Sequence, residues 1–330
     1  MTGFFILNLN DLKNSISLIR AMPPQDTVLI LNCVDIRDGR WITLDKIGGV
    51  DKLGCKIVLF RKPAHLDGLK LDCCFMGAQY IYVLIRDLGV SIDQIKKLGQ
   101  LYGLGWGWDT FKSNKSSVRH YKIFDNIILE SKHFISLRNM LHENNFIYGH
   151  PYYDFSLLHD CPYKKYGIPE GKKIAFLLHT FAMRMSSDQI SNLLRDICIK
   201  LHDAGYYVVY KHKNNMRFVK ECYADHIIIE DNVDNVLSTV EIGKISRLFV
   251  MPCFSRVFIE GVLCKSPILL GNYSYKKSAI GKSLFNKCIA GIPVNHFDNL
   301  NYISINEEAY DRWIQKWIVI HPEGNVNFIK

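Results

Sequence analysis

Residues 250–270 read VMPCFSRVFIEGVLCKSPILL. The run Arg247–Val250 reads as a strand that delivers the chain to Pro252. Cys253, Phe254, Ser255 and Arg256 then turn into a helix, Phe254–Cys264, and Lys265-Ser266-Pro267 ends it before a second strand, Pro267–Leu270. Strand, helix and strand in so short a span predict a right-handed crossover between parallel strands. Such a turn points backbone N–H groups and the positive helix end at the carboxyl edge of the sheet, which suits an anion such as a diphosphate. Ser255 is placed to cap the helix, its hydroxyl also within reach of a phosphate. Glu260 lies one turn beyond Arg256, where a carboxylate can hold a ribose diol with both oxygens. The plainer reading of Glu260 is an exposed carboxylate paired with Arg256 at i, i+4.

The same alternation extends upstream. Lys173–His179 reads as a strand, and Ser187–Ala204 as a long amphipathic helix with Ile190, Leu193, Leu194, Ile197 and Leu201 on one face. Gly205 caps it and Tyr206–Tyr210 is the next strand. Phe218–Tyr223 reads as helical, His226–Ile229 as a strand and Val233–Val240 as a helix. The result is a doubly wound unit whose ligands belong at the carboxyl ends of its strands.

The first half alternates in the same way. Phe4–Leu9, Thr27–Cys33, Lys56–Phe60, Tyr80–Val83 and Asn126–Leu129 read as strands, and Asp11–Ala21, Ile92–Leu101 and Lys132–Glu143 as helices. Strands that are apolar throughout imply a parallel sheet covered on both faces. Gly149 to Lys173 is rich in Pro, Gly and Tyr without a clean period. The expected organisation is a Rossmann-like domain over residues 1–150, a linker over 151–172 and a second Rossmann-like domain over 173–300. Residues 301–330 carry a helix, Glu307–Ile318, that packs either on its own domain or back on the first.

A chain of 330 residues suits two domains of about 150 residues each. No apolar run approaches the ~20 residues of a spanning helix. The start, MTGFFILNLNDLKNS, lacks a basic leader and a small-residue cleavage site, so it does not read as a signal peptide. The ten cysteines show no CxxC or Cys/His spacing, and reduced cytoplasmic thiols are the simplest reading. The net charge of +9 is spread over short clusters such as Lys172-Lys173, Lys211–Lys213 and Lys276-Lys277. That pattern fits a phosphate-bearing substrate or an acidic membrane surface better than nucleic acid, since no nucleic-acid module is recognisable.

Two further clusters carry chemistry. Gly103-Leu104-Gly105-Trp106-Gly107-Trp108-Asp109-Thr110 places three glycines and two indoles together. Glycine lets the backbone approach a ligand, Trp106 and Trp108 offer faces that stack on sugar rings, and Asp109 can deprotonate a hydroxyl. Against this stands a tight turn with two core tryptophans and a capping aspartate. His179-Thr180 and Lys211-His212-Lys213 end successive strands at the ligand edge. There Lys211 and Lys213 can neutralise phosphates, and His212 or His179 can protonate or hydrogen-bond a leaving group, or simply be satisfied loop-edge residues. His150 stands at the domain junction. No Walker loop, HExxH, GxSxG or DxD occurs, so nothing in the sequence calls for a metal or another cofactor.

Taken in order, these pieces resemble the donor domain of GT-B glycosyltransferases, and most of all the branch of CDP-glycerol glycerophosphotransferases and related capsule and teichoic-acid enzymes. The matching residues are Tyr148-Gly149-His150-Pro151 with Asp154, Ile174–Ala204, Tyr210-Lys211-His212-Lys213, Ile229-Glu230-Asp231, Cys253–Arg256, Glu260 and Lys265–Pro267, spanning roughly residues 123–285. The resemblance implies two Rossmann-like doubly wound domains facing across a cleft. It also implies metal-independent transfer from a nucleotide-activated sugar donor to a glycan or lipid-linked acceptor, in surface polysaccharide synthesis. The implied enzyme is cytoplasmic, with peripheral association at the inner face of the membrane as a variant. The donor would meet Lys211, Lys213, Ser255, Arg256 and Glu260. The acceptor would meet Trp106, Trp108 and Thr110, with Asp109, His179 and His212 catalytic. Departures accompany the match: the Gly103–Thr110 loop has no histidine, Pro252-Cys253-Phe254-Ser255 replaces an aspartate and paired serines, and Lys213 replaces a proline. A CDP-polyol phosphotransferase, a nucleotide-sugar 2-epimerase and a non-catalytic binding module of the same fold are the alternatives. Epimerases of that kind carry a His-Gly-Asp stretch, which is missing here.

Overall fold

A computed structural model describes residues 1–36, 43–105, 121–134, 146–154, 161–178, 187–212, 223–252, 257–271, 294–295, 300, 303 and 305–329. They form two compact units, Met1–Leu157 with Lys316–Lys330, and Leu158–Gln315.

The first unit carries a seven-stranded parallel sheet: β1 (Thr2–Ile6), β2 (Thr27–Asn32), β3 (Lys56–Phe60), β4 (Cys73–Gly77), β5 (Gln100–Leu104), β6 (Asn126–Leu129) and β7 (Phe146–Tyr148). Their order is β3-β2-β1-β4-β5-β6-β7. The chain first winds outward from β1 and then returns past it to β4, so the winding reverses between β1 and β4. In register across β1, β4 and β5, Phe4 stacks on Phe75 at 5.2 Å and Phe75 on Tyr102 at 4.7 Å. Helix α1 (Leu9–Ala21) starts where Asn8 Oδ1 accepts the N–H groups of Asn10 at 2.8 Å and Asp11 at 3.2 Å. Leu12, Ile16 and Ile19 are buried as the helical spacing predicts. The helix also packs against the turn Pro151–Tyr153 and a C-terminal helix, Asn325–Ile329, so Asp11, Asn14, Ser15 and Ser17 are buried as well. At the end of β4, a Cβ on Gly77 would lie 2.1 Å from Asp11 Oδ1; only glycine leaves room for that carboxyl.

The second unit carries a six-stranded parallel sheet: β8 (Ile174–Leu178), β9 (Tyr207–His212), β10 (His226–Ile229), β11 (Leu248–Met251), β12 (Ile268–Leu270) and β13 (Val294–Asn295), in the order β10-β9-β8-β11-β12-β13. Its winding reverses between β8 and β11. The two units are therefore Rossmann-like doubly wound α/β domains, as the alternating pattern predicted.

Three local expectations are corrected. Tyr80–Val83 is not a strand: the strand is Cys73–Gly77, and Ile81–Arg86 is helix α2. The β-branched and aromatic residues of 80–85 instead bury Ile81, Val83 and Leu84 on a helical face. The helix expected over Ile92–Leu101 stops at Lys96 (α3, Ile92–Lys96), because Gly99 takes φ +89 against the Leu71 and Asp72 carbonyls and Gln100 opens β5. Val233–Val240 divides into a 3-10 turn, Val233–Asn235, and the helix Ser238–Ile245. Of Lys132–Glu143 only the 3-10 turn Lys132–Phe134 is described; Phe218–Tyr223 lies almost wholly outside the described residues.

The remaining helices are α4 (Pro162–Tyr166), α5 (Ser187–Asp203), α6 (Ser238–Ile245), α7 (Val257–Leu263), α8 (Glu307–Trp317) and α9 (Asn325–Ile329). In the second unit Trp313 of α8 meets Phe258 at 5.8 Å, and the Tyr310 hydroxyl donates to the Ser266 carbonyl at 3.2 Å. In the first unit Val319 N–H donates to the Glu130 carbonyl at 2.9 Å, and His321 Nε2 lies 2.8 Å from the Tyr148 carbonyl oxygen. Among the described residues no helix is long and apolar enough to cross a membrane.

Candidate functional site

Every strand of the second sheet runs parallel, so all its carboxyl ends share one edge. His212, Glu230 and Pro252 stand there, at or just after the ends of β9, β10 and β11. Alternation along β9 sends Lys211 to one face and Tyr210 and His212 to the other. Lys211 is 2% exposed, and its Nζ donates to Glu230 Oε1 at 2.9 Å and Thr239 Oγ1 at 2.6 Å. Glu230 is equally buried, and its N–H donates to the His212 carbonyl at 3.2 Å. Lys211 is thus a buried ion-pair partner tying β9, β10 and α6 together, with Glu230 as a counter-charge.

His212 is half-buried at the end of its strand, 6.1 Å from the Tyr210 ring. Burial lowers its pKa from the ordinary imidazole value, so the ring is neutral at pH 7. A neutral ring can hydrogen-bond a leaving group; protonating one becomes harder.

Glu260 lies in α7 and is 3% exposed, not the exposed carboxylate of the plainer reading. Two glycines hold its helix close. A Cβ on Gly261 would meet Phe249 of β11 at 3.0 Å, and one on Gly243 of α6 would meet Cys264 Sγ at 2.8 Å. The helix ends with Lys265 in the left-handed region (φ 53), and Ser266 donates to the carbonyls of Gly243 at 2.8 Å and Ser246 at 3.2 Å. Glu260 is thus set rigidly in the helix that follows β11, beside the point where the winding reverses. Ser255, Arg256, Lys213 and His179 lie outside the described residues, as do Trp106, Trp108, Asp109 and Thr110.

What is described of the glycine-tryptophan loop changes its reading. A Cβ on Gly103 would meet Ala78 at 3.0 Å and Phe124 at 3.1 Å, and one on Gly105 would meet Leu129 at 2.8 Å. These two glycines serve packing rather than approach to a ligand. His150 is fully buried, and its Nδ1 accepts the Tyr152 N–H at 3.2 Å, which makes it the cap of the turn Pro151–Tyr153. His65 Nδ1 sits 2.9 Å from the Leu59 carbonyl oxygen and 3.2 Å from Arg61 N, within its own turn.

Two features escaped the sequence reading. A hollow of about 330 Å³ opens beyond the end of β2, lined by Val34, Asp35, Ile36, Arg86, Asp87 and Leu88, with Arg86 Nε 2.6 Å from Asp87 Oδ1. No motif announces it, because its two walls are fifty residues apart in sequence. The other is Asp11, 1% exposed at the reversal point of the first sheet. Its Oδ2 accepts the Leu7 N–H at 3.2 Å, while burial pushes its carboxyl up to about 8. The Asn8-x-x-Asp11 spacing was the available signal. Among the described residues no group of three His, Cys, Asp or Glu side chains is placed to hold a metal ion.

No protein-family model matches the chain, and no curated protein matches it. Solved structures match in fold. A putative UDP-N-acetylglucosamine 2-epimerase from Listeria monocytogenes superposes with a TM-score of 0.61 at 11% identity, covering 99% of this chain and 94% of that one. The UDP-GlcNAc 2-epimerase of Methanocaldococcus jannaschii, in complex with UDP-GlcNAc and UDP, gives 0.53 at 13% identity over 96% and 92%. Phytolacca americana UGT2, complexed with UDP-2-fluoro-glucose and pterostilbene, gives 0.52 at 9% identity over 99% and 98%. The chain shares with these proteins the two-domain GT-B architecture over nearly its whole length.

Proposed function

We propose that the chain is a nucleotide-sugar-dependent glycosyltransferase that binds its donor at the carboxyl edge of the second sheet. The observation that carries the reading is the buried Glu260 in the helix after β11, next to the β8–β11 reversal where doubly wound sheets take their ligands. Solved structures of this fold that hold UDP or a UDP-sugar support it.

In this reading Glu260 holds the ribose diol. Arg256, Lys213 and the Ser255 turn balance the diphosphate, and neutral His212, with His179, hydrogen-bonds the departing phosphate. Asp109 accepts the proton of an acceptor hydroxyl as that oxygen bonds to the anomeric carbon and the carbon–oxygen bond to the nucleotide breaks. Trp106, Trp108 and Thr110 hold the acceptor, a glycan or lipid-linked glycan of surface polysaccharide synthesis. The motif order of the CDP-glycerol branch keeps a polyol-phosphate donor as a narrower form of the same reading. A second reading, nucleotide-sugar 2-epimerase, is favoured by the TM-score of 0.61 to such a protein.

Incubation with labelled UDP- and CDP-linked donors and a panel of acceptors separates these readings. Transfer of label to the acceptor is expected. An isomerised donor without transfer would instead establish the epimerase, and no turnover or binding of any donor would refute both. Because basic side chains balance the diphosphate, EDTA should leave turnover within about twofold of its starting value. Activity abolished by EDTA and restored by magnesium or manganese would contradict that part.

A further inference from the structure

A buried charge pair, Lys211 with Glu230, stands at the proposed donor edge of the second unit, which raises the question of what it does there. Lys211, Glu230 and Thr239 come from β9, the residue after β10 and the first turn of α6, and the first two are almost completely buried. Two charges removed from water contribute little net stability compared with apolar side chains of the same volume, yet removing one partner strands the other at high cost. A pair of this kind is better suited to fixing a geometry than to adding stability. Two links run from it to His212. Lys211 precedes His212 on the strand, so the position of its ammonium fixes the peptide that leads into the histidine. Glu230 donates its own N–H to the His212 carbonyl at 3.2 Å, so the carboxylate that holds Lys211 belongs to the residue that holds His212. The pair therefore closes a ring: β9 backbone, Lys211 side chain, Glu230 side chain, Glu230 backbone and the His212 carbonyl.

We infer that Lys211 and Glu230 are positioning residues which together fix His212 at the carboxyl edge of the second sheet, and that Lys211 acts on the nucleotide only through that histidine. The inference rests on the proposed donor site for its functional consequence, but the ring itself is a property of the folded chain. Losing the Lys211 ammonium takes from the buried Glu230 carboxylate the cation 2.9 Å from its Oε1. The carboxylate then draws in water or moves outward, and the His212 carbonyl moves with it. Replacing both residues by apolar ones of similar size removes the reason to move.

The test is a variant cycle, Lys211→Met, Glu230→Leu and both together, read by the imidazole NMR signals of His212 without nucleotide and by UDP titration. In Lys211→Met the His212 signals should shift and the titration midpoint should rise by about half a unit or more, as water reaches the half-buried ring. In the double variant both should return close to wild type. UDP affinity should fall about tenfold or more in the single variant and recover most of that loss in the double variant. If Lys211 touched the phosphate itself, the double variant would stay as weak as the single one, which would overturn the inference. Unchanged His212 signals in a folded single variant would overturn it too, since the pair would then be a fold contact only. Should Lys211→Met not fold, Glu230→Gln takes its place: the His212 signals should again shift and UDP affinity fall, but the titration midpoint should drop, because the carboxylate that offsets the Lys211 cation is gone. Because the imidazole arm needs no nucleotide, a wild-type protein that binds no UDP defeats the proposed function while the NMR comparison still decides the role of the pair.

Discussion

Asp11→Asn should remove a pH-dependent penalty on the stability of the first unit, on the order of 4 kcal/mol at pH 7. Burial holds the Asp11 carboxyl up at about 8 in the folded protein, against an ordinary carboxylate value of 3.8, with the Leu7 N–H only partly opposing it. The sign follows from proton binding. Below about pH 4 both folded and unfolded chains carry the proton, and the residue imposes no ionisation cost. Between about pH 4 and 8 the unfolded chain releases the proton while the folded chain keeps it, so stability falls by about 1.4 kcal/mol per unit as pH rises. Above about 8 the loss levels off. Asparagine has the shape of the protonated acid and keeps an oxygen for the Leu7 N–H. The difference between variant and wild type, from denaturant unfolding at pH 4.5, 6 and 7.5, should therefore grow with pH in favour of the variant. A difference that stays flat across that range would mean that the carboxyl is ionised in the fold.

Glu241→Gln should cost the second unit about 3 kcal/mol. Glu241 is 1% exposed in α6 and receives Lys165 Nζ at 2.7 and 3.0 Å, together with the Tyr166 hydroxyl. These contacts dock the short helix α4 on α6. The amide keeps the tyrosine bond but leaves the Lys165 ammonium, whose side chain is only 14% exposed, without a counter-charge. Replacing both partners, Lys165→Met with Glu241→Leu, should recover most of the loss, since apolar side chains fill the space without a desolvation cost. A shift in denaturant midpoint worth under about 1 kcal/mol for the single variant would show that water already compensates the pair.

Which parts of this molecule could be read in advance follows from how local their causes are. The strands Lys56–Phe60, Asn126–Leu129 and His226–Ile229 lie where their apolar runs put them, and α5 lies where Ile190, Leu194, Ile197 and Leu201 recur at helical spacing. Tyr80–Val83 was misread because a β-prone run can be claimed by a helix when the strand is already supplied by Cys73–Gly77. The helix read over Ile92–Leu101 was cut short by Gly99, whose positive φ answers to two carbonyls almost thirty residues upstream. The site divides in the same way. The helix that carries Glu260 was legible because it belongs to one strand-turn-helix crossover. The ion pair of Lys211 was not legible because Glu230 follows the neighbouring strand and Thr239 comes from a helix beyond that. Asp11 was passed over because the cover that buries it comes from Pro151–Tyr153 and Asn325–Ile329, far along the chain.

The central claim is that the second unit holds a nucleotide diphosphate with Glu260 on its ribose. Calorimetric titration of UDP into wild type and Glu260→Ala tests it most directly. Saturable one-site binding to wild type is expected, weakened in the variant by about 1–3 kcal/mol, or roughly 5- to 150-fold in Kd, with the fold intact. Equal affinity in the two folded proteins would contradict it.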